Sequence, residues 1–189
     1  VWDVACAPLG YYFASASHDR TATFWCTESA SPLRRFVGHL SDVETVRFHP
    51  NGTMVATASG DRTVKLWDIA TGKRLETLKE SQKELYCVAI SPDGKRLVAA
   101  GVDNRIRTWS LSDDFKEGTN GLISSVYAHE LAIVDIAYSN DGERILSAGE
   151  DNLVKLWDTR LMANVAAYTS ESDWVSSVAA IVNRGFVAG

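Results

Sequence analysis

Trp25, Trp67, Trp109 and Trp157 follow one another at intervals of 42, 42 and 48 residues, and Gly10, Gly52, Gly94 and Gly142 keep the same intervals. Two independent markers on one period mean that the chain is made of copies of a unit, each of which must bury its apolar faces against its neighbours. The most complete copy runs from Phe36 to Asp68. Val43 to Phe48 alternates in polarity, Asn51-Gly52 supplies the positive φ values of a tight hairpin, and Val55 to Ser59 alternates again before Gly60-Asp61-Arg62 turns into Thr63 to Trp67. The pattern predicts three short antiparallel strands and a fourth, outer strand near Arg74 to Leu78. The six additional residues of the last interval fall in Ser112 to Gly121, which reads as a polar surface loop.

Register then places side chains. With Ser59 opposite Thr63, Thr57 stands opposite Lys65 and diagonal to Trp67 on the same face. A buried indole N–H needs an acceptor, which the Thr57 hydroxyl can be, and His39 can bridge that hydroxyl to the Asp61 carboxylate. His39, Thr57, Asp61 and Trp67 therefore read as a polar peg inside an apolar unit. The fourth copy repeats the set as His129, Ser147, Asp151 and Trp157. The first keeps Ser15, Asp19 and Trp25, and its histidine position falls ahead of Val1. The third keeps Asp103 and Trp109 but has Ser81 and Ala99 at the histidine and hydroxyl positions, so it is expected to be looser or more divergent, with Asp103 mattering less than Asp61. Glu171 takes the histidine position of an unfinished fifth copy that begins around Trp174.

Gly38-His39 followed at this offset by Trp67-Asp68, with the turn glycines and aspartates between, resembles the WD-repeat (WD40) family, and the resemblance covers the whole chain. It implies an all-β propeller with blades at 1–38, 39–79, 80–128 and 129–170 and a partial blade at 171–189. The length corresponds to about 4.5 blades, whereas closed propellers hold a whole number of about four to eight. The expectation is a fragment of a longer chain, or a partial propeller that closes by association, and hence self-association of the isolated chain. Val1 already lies inside a strand pattern, so the natural chain is expected to start upstream.

Narrower resemblances divide the chain. Gly10 to Arg20, Pro32 to Asp42, Arg47 to Gly52 and Ala56 to Asp68 are similar to the WD-repeat subunits of the general transcription factor TFIID and of SAGA-type coactivators, over residues 1–78. Ser91-Pro-Asp-Gly94, Ala128-His-Glu130 and Ser147 to Asn152 look more like generic bacterial-type propellers, which leaves a diverged lineage or an engineered chimera open. Leu156-Trp157-Asp158-Thr159-Arg160 resembles the Trp-Asp-x-Arg box through which some WD-repeat substrate receptors dock on a cullin-RING ubiquitin ligase, which would make Asp158 and Arg160 partner-binding residues. All these readings imply a non-enzymatic scaffold that binds proteins or peptides through propeller faces and loops. It would be intracellular, nuclear under the TFIID resemblance and otherwise cytoplasmic.

Composition narrows the partners. A net charge of −5 and a pI near 5.4 are the reverse of a nucleic-acid footprint, so no direct DNA or RNA binding is expected. No apolar run reaches about 18 residues, so no membrane contact is expected. Cys6, Cys26 and Cys87 have no metal-ligand spacing and are odd in number, which points to reduced thiols. No metal or cofactor is expected, and Asp113, Asp114 and Glu117 read as a solvated loop rather than a calcium site. The pegs have the composition of a hydrolase triad, but a mid-strand hydroxyl buried under tryptophan, without a nucleophile elbow or oxyanion donors, argues for structure and against catalysis.

Overall fold

The computed structural model describes residues 1–111, 121–170, 175–181 and 185–189. The period appears as four antiparallel four-stranded meanders. The first sheet is β1 (Asp3–Cys6), β2 (Tyr12–Ala16), β3 (Thr21–Cys26) and β4 (Pro32–Val37), and the second is β5 (Val43–Phe48), β6 (Met54–Ser59), β7 (Val64–Asp68) and β8 (Arg74–Leu78). The third is β9 (Leu85–Ile90), β10 (Arg96–Gly101), β11 (Arg105–Ser110) and β12 (Leu122–Tyr127). The fourth is β13 (Ile133–Tyr138), β14 (Arg144–Gly149), β15 (Leu153–Asp158) and β16 (Ala163–Thr169), and a hairpin of β17 (Val178–Ile181) and β18 (Gly185–Ala188) follows. The loop expected at 112–121 lies outside the described residues except for Gly121.

Consecutive sheets stack face to face, with the first strands β1, β5, β9, β13 and β17 in contact with their successors. Each joint has its own core. Phe24 and Phe36 meet Val46, Val55 and Trp67 at the first, and Ala56, Val64 and Leu66 meet Leu97, Ala99 and Trp109 at the second. Val98, Ala100 and Ile106 meet Ile133, Ile145 and Trp157 at the third, and Leu146, Ala148 and Val154 meet Val175 and Val178 at the fourth. The alternation expected of β6 is absent because its sheet is covered on both sides, so all six of its residues are buried. Small residues permit this: Ala56 and Ala58 on one face of β6, and Ala99 opposite them on β10, let the sheets approach.

An acidic side chain clamps the first joint. Asp3 accepts from the Thr45 hydroxyl at 2.7 Å and the Val46 N–H at 3.0 Å, and it also pairs with Arg47. Asp135, one sheet before the final hairpin, accepts from the Val178 N–H at 2.8 Å in the same way. At the equivalent places in β5 and β9 stand Thr45 and Cys87, and the joints that follow combine apolar packing with bonds at the sheet ends, from His49 to the Gly94 carbonyl and from Arg96 to the Thr159 carbonyl.

Turns follow the glycine markers. Gly10 and Gly94 have φ of +77° and +74°, a region that costs a residue with a Cβ roughly 1–2 kcal/mol. Nothing lies near a Cβ added at Gly10, whereas one at Gly94 would sit 2.5 Å from the His49 ring, whose Nε2–H donates to the Gly94 carbonyl at 2.9 Å. Gly10→Ala should therefore cost about 1–2 kcal/mol in urea unfolding, and Gly94→Ala about 1 kcal/mol more, because the ring must move and its hydrogen bond is lost. Equal costs would contradict this account of the second joint.

Candidate functional site

The pegs form where β6 and β14 pass under their sheets' tryptophans. Thr57 is opposite Lys65, and its hydroxyl accepts from the Trp67 indole N–H at 2.9 Å. That hydroxyl lies 2.7 Å from His39 Nε2, and His39 Nδ1 lies 2.8 Å from Asp61. Proton counting orders the chain. The indole can only donate and an ionised carboxylate can only accept, so with a neutral imidazole the Nδ1–H donates to Asp61 and the Thr57 O–H donates to Nε2. The fourth sheet repeats the geometry: Trp157 to Ser147 at 2.9 Å, Ser147 to His129 at 2.7 Å, and His129 to Asp151 at 2.8 Å.

Electrostatics agree with this order. Burial pushes the His39 and His129 imidazoles below the usual histidine range, outweighing the neighbouring carboxylates. Burial also raises the Asp61 carboxyl, but bonds from His39, the Thr63 hydroxyl and the Leu40 N–H outweigh it and hold the group below the usual carboxylate range. Asp151 is lowered in the same sense, burial being opposed by His129 and the Glu130 N–H. Each aspartate also anchors its own turn. Asp19, Asp61, Asp103 and Asp151 accept from the N–H two residues on, beside Arg20, Arg62, Asn104 and Asn152 at φ of +63° to +70°.

The first sheet keeps the Trp25 indole on the Ser15 hydroxyl at 3.0 Å, with Asp19 held by Thr21. The third sheet diverges from the other three. Its peg is replaced by a different network: the Trp109 indole donates to Glu80 at 3.0 Å, the Ser81 hydroxyl reaches Asp103 at 3.4 Å, and Asp103 pairs with Arg107 at 2.5 Å. Arg107 is 4% exposed. Its position matches Lys65 and Lys155, so an ordinary charged site on β11 concealed a buried ion pair from sequence reasoning. The spacing Asp103 to Arg107 across one turn was the available signal.

Asp158 accepts from Arg144 at 2.5 Å and from the Arg160 and Leu161 N–H groups at 2.9 and 3.0 Å, so it is engaged in holding its own turn. Arg160 is exposed and reaches Glu143 only at 3.7 Å. Glu171, Trp174, Asp113, Asp114 and Glu117 lie outside the described residues. Among the described residues no group of three or more His, Cys, Asp or Glu side chains is placed to hold a metal, and no helix is long and apolar enough to cross a membrane. Thr57 and Ser147 are fully buried, so a substrate carbonyl has no path to either hydroxyl.

The turns that the aspartates anchor carry a surface that the sequence did not single out. His18 meets Asp42 at 2.6 Å, and the Trp2 indole donates to the same carboxylate at 3.3 Å. Beside them, burial together with the Asp42 and Glu84 charges raises the Glu44 carboxyl, and burial together with Glu84, Glu150 and Glu44 raises the Tyr86 phenol. The inner ends of successive sheets thus form an acidic rim with two aromatic side chains, assembled from residues far apart in the chain.

The networks make stability predictions. Asp61→Ala leaves the His39 N–H buried without an acceptor and should cost roughly 1–3 kcal/mol. Asp103→Ala leaves a buried guanidinium without its counter-charge and should cost about 3–5 kcal/mol, the reverse of the order expected from sequence. Urea titrations in which Asp103→Ala is clearly the milder change would refute the ion pair's role. For pH, the lowered groups bind protons more weakly folded than unfolded. Their stability is present above the unfolded values and is lost as pH falls, first below about 6.5 for His39 and His129 and then below about 4 for Asp61 and Asp151. His39→Gln should shrink the first loss, and a titration unchanged between pH 7 and 5 by that substitution would oppose this.

Comparison with known proteins agrees with the geometry. The repeat described as WD domain, G-beta repeat, matches residues 1–26, 30–68, 72–110 and 120–158. Transcription initiation factor TFIID subunit 5 of Caenorhabditis elegans is 45% identical over 51 residues, a stretch that is 27% of this chain and 8% of that protein. The four matched repeats cover well over half of the sequence, each from the second on spanning the outer strand of one sheet and the first three strands of the next, and the chain belongs to the WD40 family.

Proposed function

We propose that this chain is a protein-interaction platform in a TFIID-type transcription initiation assembly, and so acts in the nucleus. WD40 domains in general are non-enzymatic scaffolds that bind other proteins. The observation that carries the narrower reading is the 45% identity over 51 residues with TFIID subunit 5. Since the match spans 8% of that protein, its assembly is carried over as a proposal.

The acidic rim is the surface we assign to the partner. It combines an exposed Trp2 with the Asp42, Glu44, Glu84 and Glu150 carboxylates at the starts of β5 and β9 and beside the Asp151 turn, so it is suited to a lysine- or arginine-bearing segment. Arg160 is at the other end of β15 from the Asp151 turn and serves as a control.

The test is recovery of TFIID subunits from nuclear extract on the immobilised chain. The unmodified chain should recover them, and the double change Glu44→Lys, Glu84→Lys should reduce recovery at least about tenfold with the melting temperature preserved, about 1.4 kcal/mol of binding. Arg160→Ala should leave recovery unchanged. Absence of TFIID subunits with the unmodified chain would overturn the assembly, and full recovery with the double variant would overturn the surface.

A further inference from the structure

In the second and fourth sheets an imidazole fills the space between the turn aspartate and the central-strand hydroxyl. In the third, Ser81 and Ala99 take those positions, and a cavity of about 450 Å³ opens beside them, lined by Glu80, Lys83, Asp103, Arg105, Arg107 and Ser125 among others. This is many times the roughly 30 Å³ share of a water molecule.

Arg107 gives the cavity its chemistry. Its Nη2 is taken by Asp103 at 2.5 Å, but its Nη1 is buried and has no hydrogen-bond partner. A buried donor on a charged, delocalised fork is an unusual thing to leave unmatched. The two carboxylates of the lining are already committed, Glu80 to the Trp109 indole and Asp103 to Arg107. Lys83 and Arg105 add two further cations at the exposed end, so three cations face two engaged carboxylates.

We propose that this cavity is a binding site for a small oxyanion, a carboxylate or phosphate group, which accepts from Arg107 Nη1 and faces Lys83 and Arg105. A guanidinium presents N–H groups in the plane and spacing that such oxygens match, and Nη1 is the group left over once Asp103 has been served. The site is particular to the third sheet, where an arginine stands at the position held by Lys65 and Lys155 in the second and fourth and takes the place of the imidazole on the turn aspartate. It does not depend on the identity of the protein partner.

The experiment follows melting of the full chain in sodium phosphate and in sodium acetate against sodium chloride at matched ionic strength. A ligand that binds the folded state raises the melting temperature saturably. Phosphate or acetate should do so beyond chloride, and the anion with the lower half-saturating concentration identifies the preferred group. Arg107→Gln should abolish the response. If that variant does not fold, the surface pair Lys83→Ala, Arg105→Ala should raise the half-saturating concentration at least tenfold. Melting curves that respond to neither anion beyond chloride, or that respond equally in a folded Arg107→Gln protein or in the Lys83→Ala, Arg105→Ala protein, would overturn the site.

Discussion

The structure depends on a directed chain of hydrogen bonds that lets a tryptophan, a histidine and an aspartate be buried together. Each link exists because of the next one. The Trp67 N–H needs the Thr57 oxygen, whose proton needs a bare imidazole nitrogen, whose opposite N–H needs the Asp61 carboxylate. Asp61 is then held by Thr63 and the Leu40 N–H, so the chain ends on the turn that projects toward the acidic rim. Interior packing and surface presentation are thereby coupled: the same carboxylate that satisfies a buried imidazole also holds the loop on which a partner would dock. A network of this kind is favourable only when complete, because a buried group left without a partner costs more than the bond was worth.

The third sheet shows that the constraint is satisfaction rather than residue identity. Without a histidine, Glu80 takes the indole proton and Arg107 occupies Asp103. The exchange replaces a relay with a single charged member, the aspartate, by a buried ion pair, which requires its partner more strictly and leaves one guanidinium nitrogen over. Differences among the joints follow the same principle. Asp3 and Asp135 clamp backbone N–H groups of the next sheet, while the joints after Thr45 and Cys87 are bridged instead by His49 and Arg96, each donating to a backbone carbonyl of the next sheet.

Much of this was legible from periodicity, because period-two strands, Asn-Gly and Gly-Asp turns and a fixed tryptophan offset are local signals with a single reading. Placing Thr57 opposite Lys65 from the turn between them was enough to put His39, Asp61 and Trp67 in one network. What remained hidden depends on contacts between copies. Nothing local distinguishes Arg107 from Lys65, which is also buried, and the pairing of Arg107 with Asp103 appears only where no imidazole takes that carboxylate. Likewise Trp2, Asp42, Glu44, Glu84 and Glu150 are unremarkable singly and become a surface only when sheets are stacked. The burial of both faces of β6 was obscured for the same reason, since alternation in one strand does not reveal a second covering sheet.

The directed chain makes a claim about protons that can be read out at the histidines themselves. Nitrogen-15 NMR of the ring nitrogens of His39 and His129, with exchange of the Trp67 and Trp157 indole protons followed in the same samples, tests it most directly. The account predicts neutral rings at pH 6.5 with the proton on Nδ1, together with slowly exchanging indole protons. Rings that are protonated at that pH, or that carry the proton on Nε2 beside rapidly exchanging indoles, would contradict it.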